Sequence, residues 1–368
     1  MLNPQCTGCE GPGRRGRSLT DFQLYAANDR APVPARAATI FDVARRAGVS
    51  TKTVSRVLNN EGRVAEDTLA RVRAAVADLD YRPNPNARSL AGRRSYLIGL
   101  FYDNPSSNYM ADIKGGAIRR CQEKGYHLLT EPCEADDPNL PRLMVSVATR
   151  FRLDGLILTP PLVDRQDVLD AVAAANVPLV RIAPRTDPER TAHVCMDDQA
   201  AARLAAEHLA DLGHHRLGMI LGHPDHGAAM LRQRGFQQAA ADRGLTLLPH
   251  HIVPGDFSFA SGFAAAERLL SLPDRPTAIF AGNDDMAAAT VAAANKHGLQ
   301  VPRDLSVVGF DDSPIAQVIW PPLTTIRQPT MAMAAAAVDL LIGDGESEPV
   351  RQLDFELMVR QSTGPLPG

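Results

Sequence analysis

Five polar side chains follow one another at helical spacing between residues 51 and 59, and their types suit contact with nucleic acid. They are Thr51, Lys52, Ser55, Arg56 and Asn59. Lysine and arginine can donate to N7 and O6 of guanine, while hydroxyl and amide groups suit other base edges or phosphate oxygens. A basic stripe alone is also typical of an ordinary solvated helix. The interpretation therefore depends on the residues that would position the stripe.

The residues around Gly48 match two short helices that cross at a steep angle. Small or apolar side chains occupy the positions at which such helices must touch: Val43, Ala44, Ala47, Val49, Val54 and Val57. Gly48 suits the turn because glycine adopts positive φ at no steric cost. Ser50 is a good N-cap for a second helix from Thr51 to about Asn59, since its hydroxyl can accept from an unpaired amide. The stretch predicts a DNA-binding helix-turn-helix whose second helix reads base edges.

A third helix is predicted from Thr68 to Leu79, because Leu69, Val72, Val76 and Leu79 recur at helical spacing. The run YRPNPNARSLAG follows, from Tyr81 to Gly92. Together with DVARRAGVSTKTVSRVLN, it resembles the lactose/galactose repressor (LacI-type) family of bacterial transcription regulators. The resemblance runs from Thr39 to about Gly364. It implies an all-α helix-turn-helix head, residues 39–84, joined to an α/β body of two lobes.

A short segment, residues 85–92, joins the head to the body. Asn84 is a good N-cap before Pro85 at the first helical position, yet a helix from Pro85 to Leu90 is too short to be stable alone in water. The resemblance implies that this hinge helix forms on double-stranded operator DNA and pairs with its twin in a homodimer. Its DNA-binding residues would be Asn84, Ala87 and Leu90, with Leu90 inserted into the minor groove. The alternative is a plain linker.

Length and charge indicate a small basic module on a larger acidic body. At 368 residues, 45% hydrophobic and 22% charged, the chain is predicted to be a soluble globular protein of two or three domains. Residues 39–94 hold 11 Lys/Arg against 6 Asp/Glu, whereas residues 95–368 hold 23 against 33. This asymmetry fits a DNA-binding head on a body with another task.

Residues 1–38 are rich in Pro, Gly, Arg and Ala without an apolar period, so we expect a disordered extension. No apolar run is long enough for a signal-peptide core or a membrane span, and we therefore expect a cytoplasmic protein without membrane contact. Cys6 and Cys9 form a lone C-x-x-C, which is weak support for zinc. The odd total of 5 cysteines suits a reducing compartment.

From Leu97 onward, apolar runs alternate with amphipathic helices, a pattern typical of parallel sheets built from βαβ units. The predicted strands are Leu97–Phe101, His127–Thr130, Gly155–Thr159, Leu179–Ile182, Arg216–Leu221, Thr277–Ala281, Leu305–Phe310 and Leu323–Arg327. The predicted helices include Met110–Lys124, Gln199–Leu212, Ala228–Arg243 and Met286–His297. The resemblance implies a body of the periplasmic-binding-protein type over residues 95–364. Its lobes would span about 95–193 with 328–345, and about 194–325 with 350–364, with crossings near Ala192–Asp197, Thr324–Gln328 and Gly343–Val350.

Polar residues follow the predicted strands, where ligands of parallel sheets bind. The resemblance implies that Arg232 forks onto a small-molecule effector, that Asn283 and Asp311 are polar ligands, and that Phe257 lies against it. Asp103 and Thr159 match pocket positions with more variable side chains. Such a set suits a sugar, although the family also has purine-sensing members. The alternative is that a strand-end acid such as Asp284 or Asp312 only caps the next helix.

Two departures from the family pattern stand out. Ala183 occupies the position after a strand where many sugar-sensing relatives carry an aspartate, so the ligand cannot be copied from a relative. Ala65 stands where the family often has a capping serine at the start of the third helix. Loss of that cap destabilises a helix by about 1 kcal/mol and leaves the reading surface untouched.

The remaining motifs favour regulation over catalysis. His214, His215, His223 and His226 lie in pairs at opposite ends of a predicted strand, so no metal site is predicted. No nucleophile elbow, phosphate loop or H-E-x-x-H occurs, so we predict neither an enzyme nor a cofactor.

The leading hypothesis is an effector-controlled homodimeric repressor of a palindromic operator. Because the chain stops at Pro365 to Gly368 without a leucine-heptad helix, we expect a dimer. A periplasmic-type sugar-binding protein without a regulatory role is the alternative, but it would have no use for residues 39–92.

Overall fold

The computed structural model describes residues 38–58, 64–81, 94–245, 247–343 and 348–366. The chain divides into two compact units, residues 1–84 and 85–368. The predictions for the N-terminal extension up to residue 37 and for the hinge helix lie outside the described residues. The same holds for the DNA-contact predictions at Asn59, Asn84, Ala87 and Leu90.

The head consists of helices α1 (Ile40–Ala47), α2 (Thr51–Leu58) and α3 (Glu66–Asp78). Gly48 ends α1 in the left-handed conformation, with φ 67°, which explains the glycine at this turn. Ser50 caps the start of α2, because its Oγ accepts a hydrogen bond from the Thr53 amide at 3.1 Å. The predicted packing positions are confirmed, since the core contains Val43, Ala44, Ala47, Val54, Val57, Val72 and Ala75, with Val49 packed against it. Ala65 precedes α3 and makes no side-chain cap.

Twelve strands are present in the described part of the body. They are β1 (Leu97–Tyr102), β2 (His127–Pro132), β3 (Gly155–Leu158), β4 (Leu179–Ile182), β5 (Ala192–Cys195), β6 (Leu217–Ile220), β7 (Ile252–Val253), β8 (Ala278–Ala281), β9 (Ser306–Asp311), β10 (Thr324–Arg327), β11 (Val350–Gln352) and β12 (Glu356–Met358). They form two six-stranded sheets, ordered β11-β5-β4-β3-β1-β2 and β12-β10-β9-β8-β6-β7. Every pairing is parallel except that of β10 with β12. The two-lobe α/β prediction is confirmed.

Helices cover both sheets, as the βαβ pattern requires. The first lobe carries α4 (Ser107–Glu123), α5 (Leu140–Phe151), α6 (Gln166–Ala174) and, after the chain returns, α12 (Thr330–Ile342). The second lobe carries α7 (Asp198–Asp211), α8 (Gly227–Asp242), α9 (Phe259–Leu270), α10 (Asp284–Lys296) and the short α11 (Pro314–Val318). None of the helices in the described segments is long and apolar enough to cross a membrane.

Three short connections join the lobes. Residues 196–197 link β5 to α7, residues 328–329 link β10 to α12, and residues 353–355 link β11 to β12. The third crossing was predicted near Gly343–Val350, and that placement is wrong, because the chain crosses only after β11. Val350 pairs with His193, so β11 still belongs to the first sheet and the lobe boundary moves beyond it. All three residues of β11 are exposed, and this polar edge strand has no apolar pattern to reveal it.

Candidate ligand cavity and nucleic-acid interface

Helix α2 presents its predicted reading residues opposite its buried face. Val54 and Val57 are buried in the head core, whereas Lys52 and Arg56 are exposed. Thr51 and Ser55 are half-buried beside them. In the described part of the head, carboxylates pair with Arg45, Arg46 and Arg71, and none pairs with Lys52 or Arg56. The two cations of α2 are thus available to phosphates or base edges.

A cavity lies between the two lobes and encloses about 440 Å³ of space, part of it open to solvent. It sits outside the carboxyl ends of the parallel strands, where such sheets bind ligands. The first lobe contributes loop and helix residues that follow β1, β3 and β4: Asn104, Ser106, Tyr109, Pro160 and Ala183. The second lobe and a crossing segment contribute Asp198, His226, Ala228, Arg232, Phe257, Asn283, Asp311 and Gln328.

Arg232 is a buried cation held on three sides by the second lobe. Its Nε donates to Asp198 Oδ1 at 2.8 Å, and its Nη1 donates to the carbonyl of Gly282 at 2.7 Å. The guanidinium carbon lies 3.5 Å from the centre of the Phe310 ring, a cation–π contact. Nη2 has no hydrogen-bond partner among the described residues, and Arg232 lines the cavity. A rigidly held donor therefore remains for a ligand.

Asp311 lies at the end of β9 with a φ of 117°, a conformation that L-residues rarely adopt. Its Oδ1 accepts a hydrogen bond from Gln328 Nε2 at 2.7 Å. Burial raises the pKa of Asp311 to about 7, although Arg232 and the Gln328 hydrogen bond act in the opposite direction. Strained backbone is common at functional sites. Near neutral pH this group can accept or donate a hydrogen bond.

Phe257 reaches the cavity on a left-handed turn with φ 72°. Asn283 holds that turn, because its Nδ2 donates to the Phe257 carbonyl at 2.9 Å while its Oδ1 accepts from the Met286 amide and caps α10. A Cβ on Gly222 would lie 2.0 Å from Cζ of the Phe257 ring, so only glycine leaves room for it. The ring centre of His226 lies 5.3 Å from that of Phe257. Burial lowers the pKa of His226 to about 3, which keeps it neutral.

The structure does not bring two predicted residues to this cavity. Asp103 lines an adjoining recess, with Arg165 and His223, that shares His226 with the cavity, and its Oδ2 accepts from the Ala135 amide at 2.7 Å. Thr159 is fully buried and its Oγ1 has no hydrogen-bond partner among the described residues. The next residue, Pro160, lines the cavity in its place. The preceding strand, β3, is buried on both faces, so its sequence has no alternation that would indicate which of these two residues faces the cleft.

Asp284 and Asp312 are not the N-caps of the helices that follow their strands, and both have other structural roles. Asp284 accepts hydrogen bonds from the amide and hydroxyl of Ser313 and from Thr325 Oγ1, which ties the ends of β9 and β10 to α10. Burial raises the pKa of Asp284 well above its usual range. Asp312 forms ion pairs with Arg327 and Arg360. The cap of α10 comes from Asn283.

Several cavity residues were not predicted from the sequence, among them Asp198, Gln328 and Tyr109. Asp198 follows β5, a strand that no apolar run revealed, and Gln328 lies in a crossing segment. Tyr109 lies in the first turn of α4, which begins three residues before the predicted start. Burial raises the pKa of Tyr109, so it stays protonated. The acid at residue 198 could have been inferred as the partner that a buried arginine requires.

Known protein families match parts of both compact units of the chain. Residues 39–84 match the family described as bacterial regulatory proteins, lacI family, and residues 206–363 match a periplasmic binding protein-like domain. The repressor PurR of Photobacterium profundum is 35% identical over 88% of this chain and 98% of its own length. The ribose operon repressor of Escherichia coli is 36% identical over 83% of this chain and 92% of its length.

A solved structure, the lac repressor dimer bound to operator and the anti-inducer ONPF, is similar with a TM-score of 0.73. It is 31% identical and covers 89% of this chain and 100% of its own. Both relatives above exceed 30% identity over nearly their whole length. The chain belongs to the lacI family of bacterial regulatory proteins.

Proposed function

We propose that this chain is a homodimeric repressor that acts in the cytoplasm on a palindromic operator and is controlled by a sugar in the cavity between its lobes. The observation that carries the proposal is the buried Arg232. Asp198 and Gly282 hold its guanidinium while Nη2 remains as a donor, and the Asp311 carboxyl group lines the same cavity. A DNA-binding head of the same family precedes this body. The protein is therefore a regulator that binds DNA and senses a ligand.

A sugar suits this cavity because its hydroxyl groups both donate and accept, while its C–H face is apolar. Arg232 supplies donors, Asp311 supplies an acceptor, and Phe257 supplies an apolar ring. The first lobe offers Asn104 and Ser106 but has Ala183 where an acid is frequent in relatives. Ligand orientation therefore depends mainly on the second lobe. The ribose operon repressor is 36% identical to this chain, so D-ribose is the first ligand to test.

Control of DNA binding would pass through the angle between the lobes. Both lobes line the cavity, so a ligand that prefers one lobe angle shifts the population toward that state. The shift would separate or join the two hinge helices of the dimer at residues 85–90. A coupling free energy of about 1 to 3 kcal/mol changes operator affinity about 5- to 150-fold. Whether the ligand releases or strengthens operator binding is an outcome of the experiment.

The ligand proposal is tested by calorimetry and operator binding on the full chain. D-ribose, other pentoses, hexoses and disaccharides, and purine bases as the competing class, are titrated first without and then with operator DNA. A sugar that binds and also changes operator affinity supports the proposal. A purine that does so, with no sugar active, would assign the cavity to purines instead.

The DNA-reading proposal is tested by exchanging Thr51 and Lys52 together. We expect the preferred half-site to change in a selection assay, because these residues begin the helix that reads base edges. Leu90→Ala should keep the fold and dimer yet reduce DNA bending and operator affinity, because the minor-groove wedge is lost. Unchanged half-site preference would exclude the reading role of α2, and unchanged bending would make residues 85–90 a linker.

A further inference from the structure

Two histidines and one aspartate form a compact cluster on the second lobe: His250, His251 and Asp274. The cluster lies beside the edge strand β7, at the amino ends of the strands, whereas the ligand cavity lies at their carboxyl ends. Nε2 of His250 lies 3.0 Å from Asp274 Oδ2, and Nε2 of His251 lies 3.6 Å from the same oxygen. One ligand atom from each residue lies within 4.8 Å of the others. His251 directly precedes β7, and Asp274 lies in the loop before β8. The cavity residues instead follow the carboxyl ends of these strands.

His251 is oriented as a metal ligand would be. Its side chain is 1% exposed, and its Nδ1 lies 3.2 Å from the carbonyl oxygen of Leu217. A carbonyl can only accept, so Nδ1 is the donor in this contact, and in the tautomer protonated at Nδ1 alone Nε2 carries a lone pair. Histidines that bind metals commonly have this arrangement, in which the distal N–H donates to a backbone carbonyl.

The lone pair of His251 has no hydrogen-bond partner among the described residues, and it faces a carboxylate. Nε2 is a buried atom without a donor, and the nearest charged oxygen belongs to Asp274. Two acceptors that face each other repel unless a cation lies between them. The 3.0 Å contact between His250 and Asp274 is a hydrogen bond, whereas His251 Nε2 lies 3.6 Å from the same oxygen, beyond hydrogen-bond distance.

The distances suit a small divalent ion. Ligand atoms about 2.0 to 2.2 Å from a tetrahedral zinc ion lie about 3.3 to 3.6 Å apart, close to the two separations measured here. His250 and Asp274 are 50% and 46% exposed, so they can adjust by a few tenths of an ångström. Their exposure also leaves a fourth position open to water. Imidazole and carboxylate ligands in this number suit Zn²⁺.

We propose that His250, His251 and Asp274 bind one divalent transition metal ion, Zn²⁺ in the first instance, with water as the fourth ligand. The ion joins the loop before β8 to the segment that begins β7, the edge strand of the second sheet. Because binding would favour the folded state, it stabilises this edge against local opening. The site is separate from the effector cavity and does not depend on the identity of the effector.

The test uses the full chain without a polyhistidine tag, freed of metal by a chelator and titrated with ZnCl₂ by calorimetry. We expect one site per chain and a thermal midpoint that rises with Zn²⁺. His250→Ala and Asp274→Asn change exposed residues and should keep the fold, checked by circular dichroism. Each should weaken Zn²⁺ binding by at least about ten-fold, since even outer-shell changes at metal sites have effects of this size.

His297→Ala is the matched control, because His297 pairs with Glu267 at 2.9 Å in a surface contact that contains no second histidine. It should leave Zn²⁺ affinity unchanged. The proposal is overturned if the wild-type chain binds no Zn²⁺, or if His250→Ala and Asp274→Asn bind it as well as the control does. It is also overturned if only the exchange of Cys6 and Cys9 for serine removes the zinc.

Discussion

Ser106 on the first lobe donates a hydrogen bond across the cleft to Asp285 on the second lobe, with 3.2 Å between Ser106 Oγ and Asp285 Oδ2. Asn108 Nδ2 reaches the other carboxylate oxygen at 3.3 Å. Ser106 also caps α4, and Asp285 lies in the first turn of α10, so two helix starts from different lobes meet here. Burial raises the pKa of Asp285, and the two neutral donors counteract that effect. This contact joins the two lobes beside the cavity, which Ser106 also lines.

We predict that Asn108→Asp weakens ligand binding by at least several-fold. The change places a second carboxylate beside Asp285 across the cleft, and like charges at this separation repel. Asn108→Ser, which removes the amide without adding charge, should have a smaller effect. Calorimetry with the ligand that the sugar and purine titrations select measures both variants at low and high salt.

Exchange of the two residues provides the control for that prediction. Asn108→Asp combined with Asp285→Asn restores one carboxylate and one amide across the cleft, so binding should recover most of the loss. If the combined variant binds as weakly as Asn108→Asp alone, the contact does not control the lobe arrangement.

The second prediction concerns Arg232 and its buried partner. Arg232→Ala alone would leave Asp198 buried without a cation, which destabilises proteins by about 3 to 5 kcal/mol. We therefore expect a clear result from Arg232→Gln combined with Asp198→Asn, which removes both charges together. This variant should bind operator near normally yet lose ligand binding and the response to ligand.

Arg234→Ala is the matched control on the same helix, because Arg234 is exposed and does not line the cavity. It should keep ligand affinity and response. A neutral pair at residues 198 and 232 that still responds at the wild-type ligand concentration would show that the ligand binds elsewhere.

The head was predictable because its packing depends on residues close together in sequence. The contact positions of α1 and α2 all lie within ten residues of the turn at Gly48, and their side chains are small or apolar at helical spacing. Ala75 was missed because a small residue carries little hydrophobic signal, yet it is as buried as the valines of the head core. Local pattern and tertiary packing agree here.

The body was less predictable where strands are short or polar. Central strands such as β3 and β8 are continuous apolar runs and were found, whereas β5, β7, β11 and β12 are two to four residues long and were not. Cavity residues that family resemblance supplied, such as Arg232 and Asp311, do line the cavity. Asp198 was missed because it depends on β5, and the orientation of Thr159 depends on packing that no sequence pattern encodes.

The third prediction is that Gly222→Ala weakens ligand binding while operator binding without ligand is kept. The new methyl group would overlap the Phe257 ring, which must leave its place against the cavity. Gly115→Ala is the control, because its Cβ would make only an ordinary contact, 3.6 Å from Met331 Cε. Calorimetry on both variants measures the difference, and an unchanged affinity for Gly222→Ala would mean that Phe257 does not contact the ligand.

The fourth prediction concerns the missing cap of α3. Ala65→Ser should stabilise the head by about 1 kcal/mol, because a serine hydroxyl at this position can accept from an unpaired amide in the first turn. Hydrogen exchange of the α3 amides in the full chain measures the gain. Ala74→Ser, the same change in the exposed interior of α3, should instead destabilise the helix by a few tenths of a kcal/mol. Equal effects at both positions would exclude capping as the cause.

The fifth prediction uses the pKa of Asp311, which burial raises from 3.8 to about 7. Between these values the folded chain keeps a proton on Asp311 that the unfolded chain has lost. Stability from this group is therefore full below about pH 4, falls as pH rises, and is lost above about pH 7, with a slope of up to about 1.4 kcal/mol per pH unit.

Asp311→Asn removes this titration, so the free energy of unfolding should depend less steeply on pH between 5 and 7 than in the wild-type chain. Asp198, Asp284 and Asp285 also have raised pKa values and add slopes of the same sign, so the difference between the two proteins is the informative quantity. Asp136→Asn, the same substitution at an exposed acid, should leave the slope unaltered. Urea unfolding at pH 5, 6 and 7 measures all three proteins. Parallel curves for Asp311→Asn and the wild type would show that Asp311 titrates near its ordinary value and stays charged in the cavity at neutral pH.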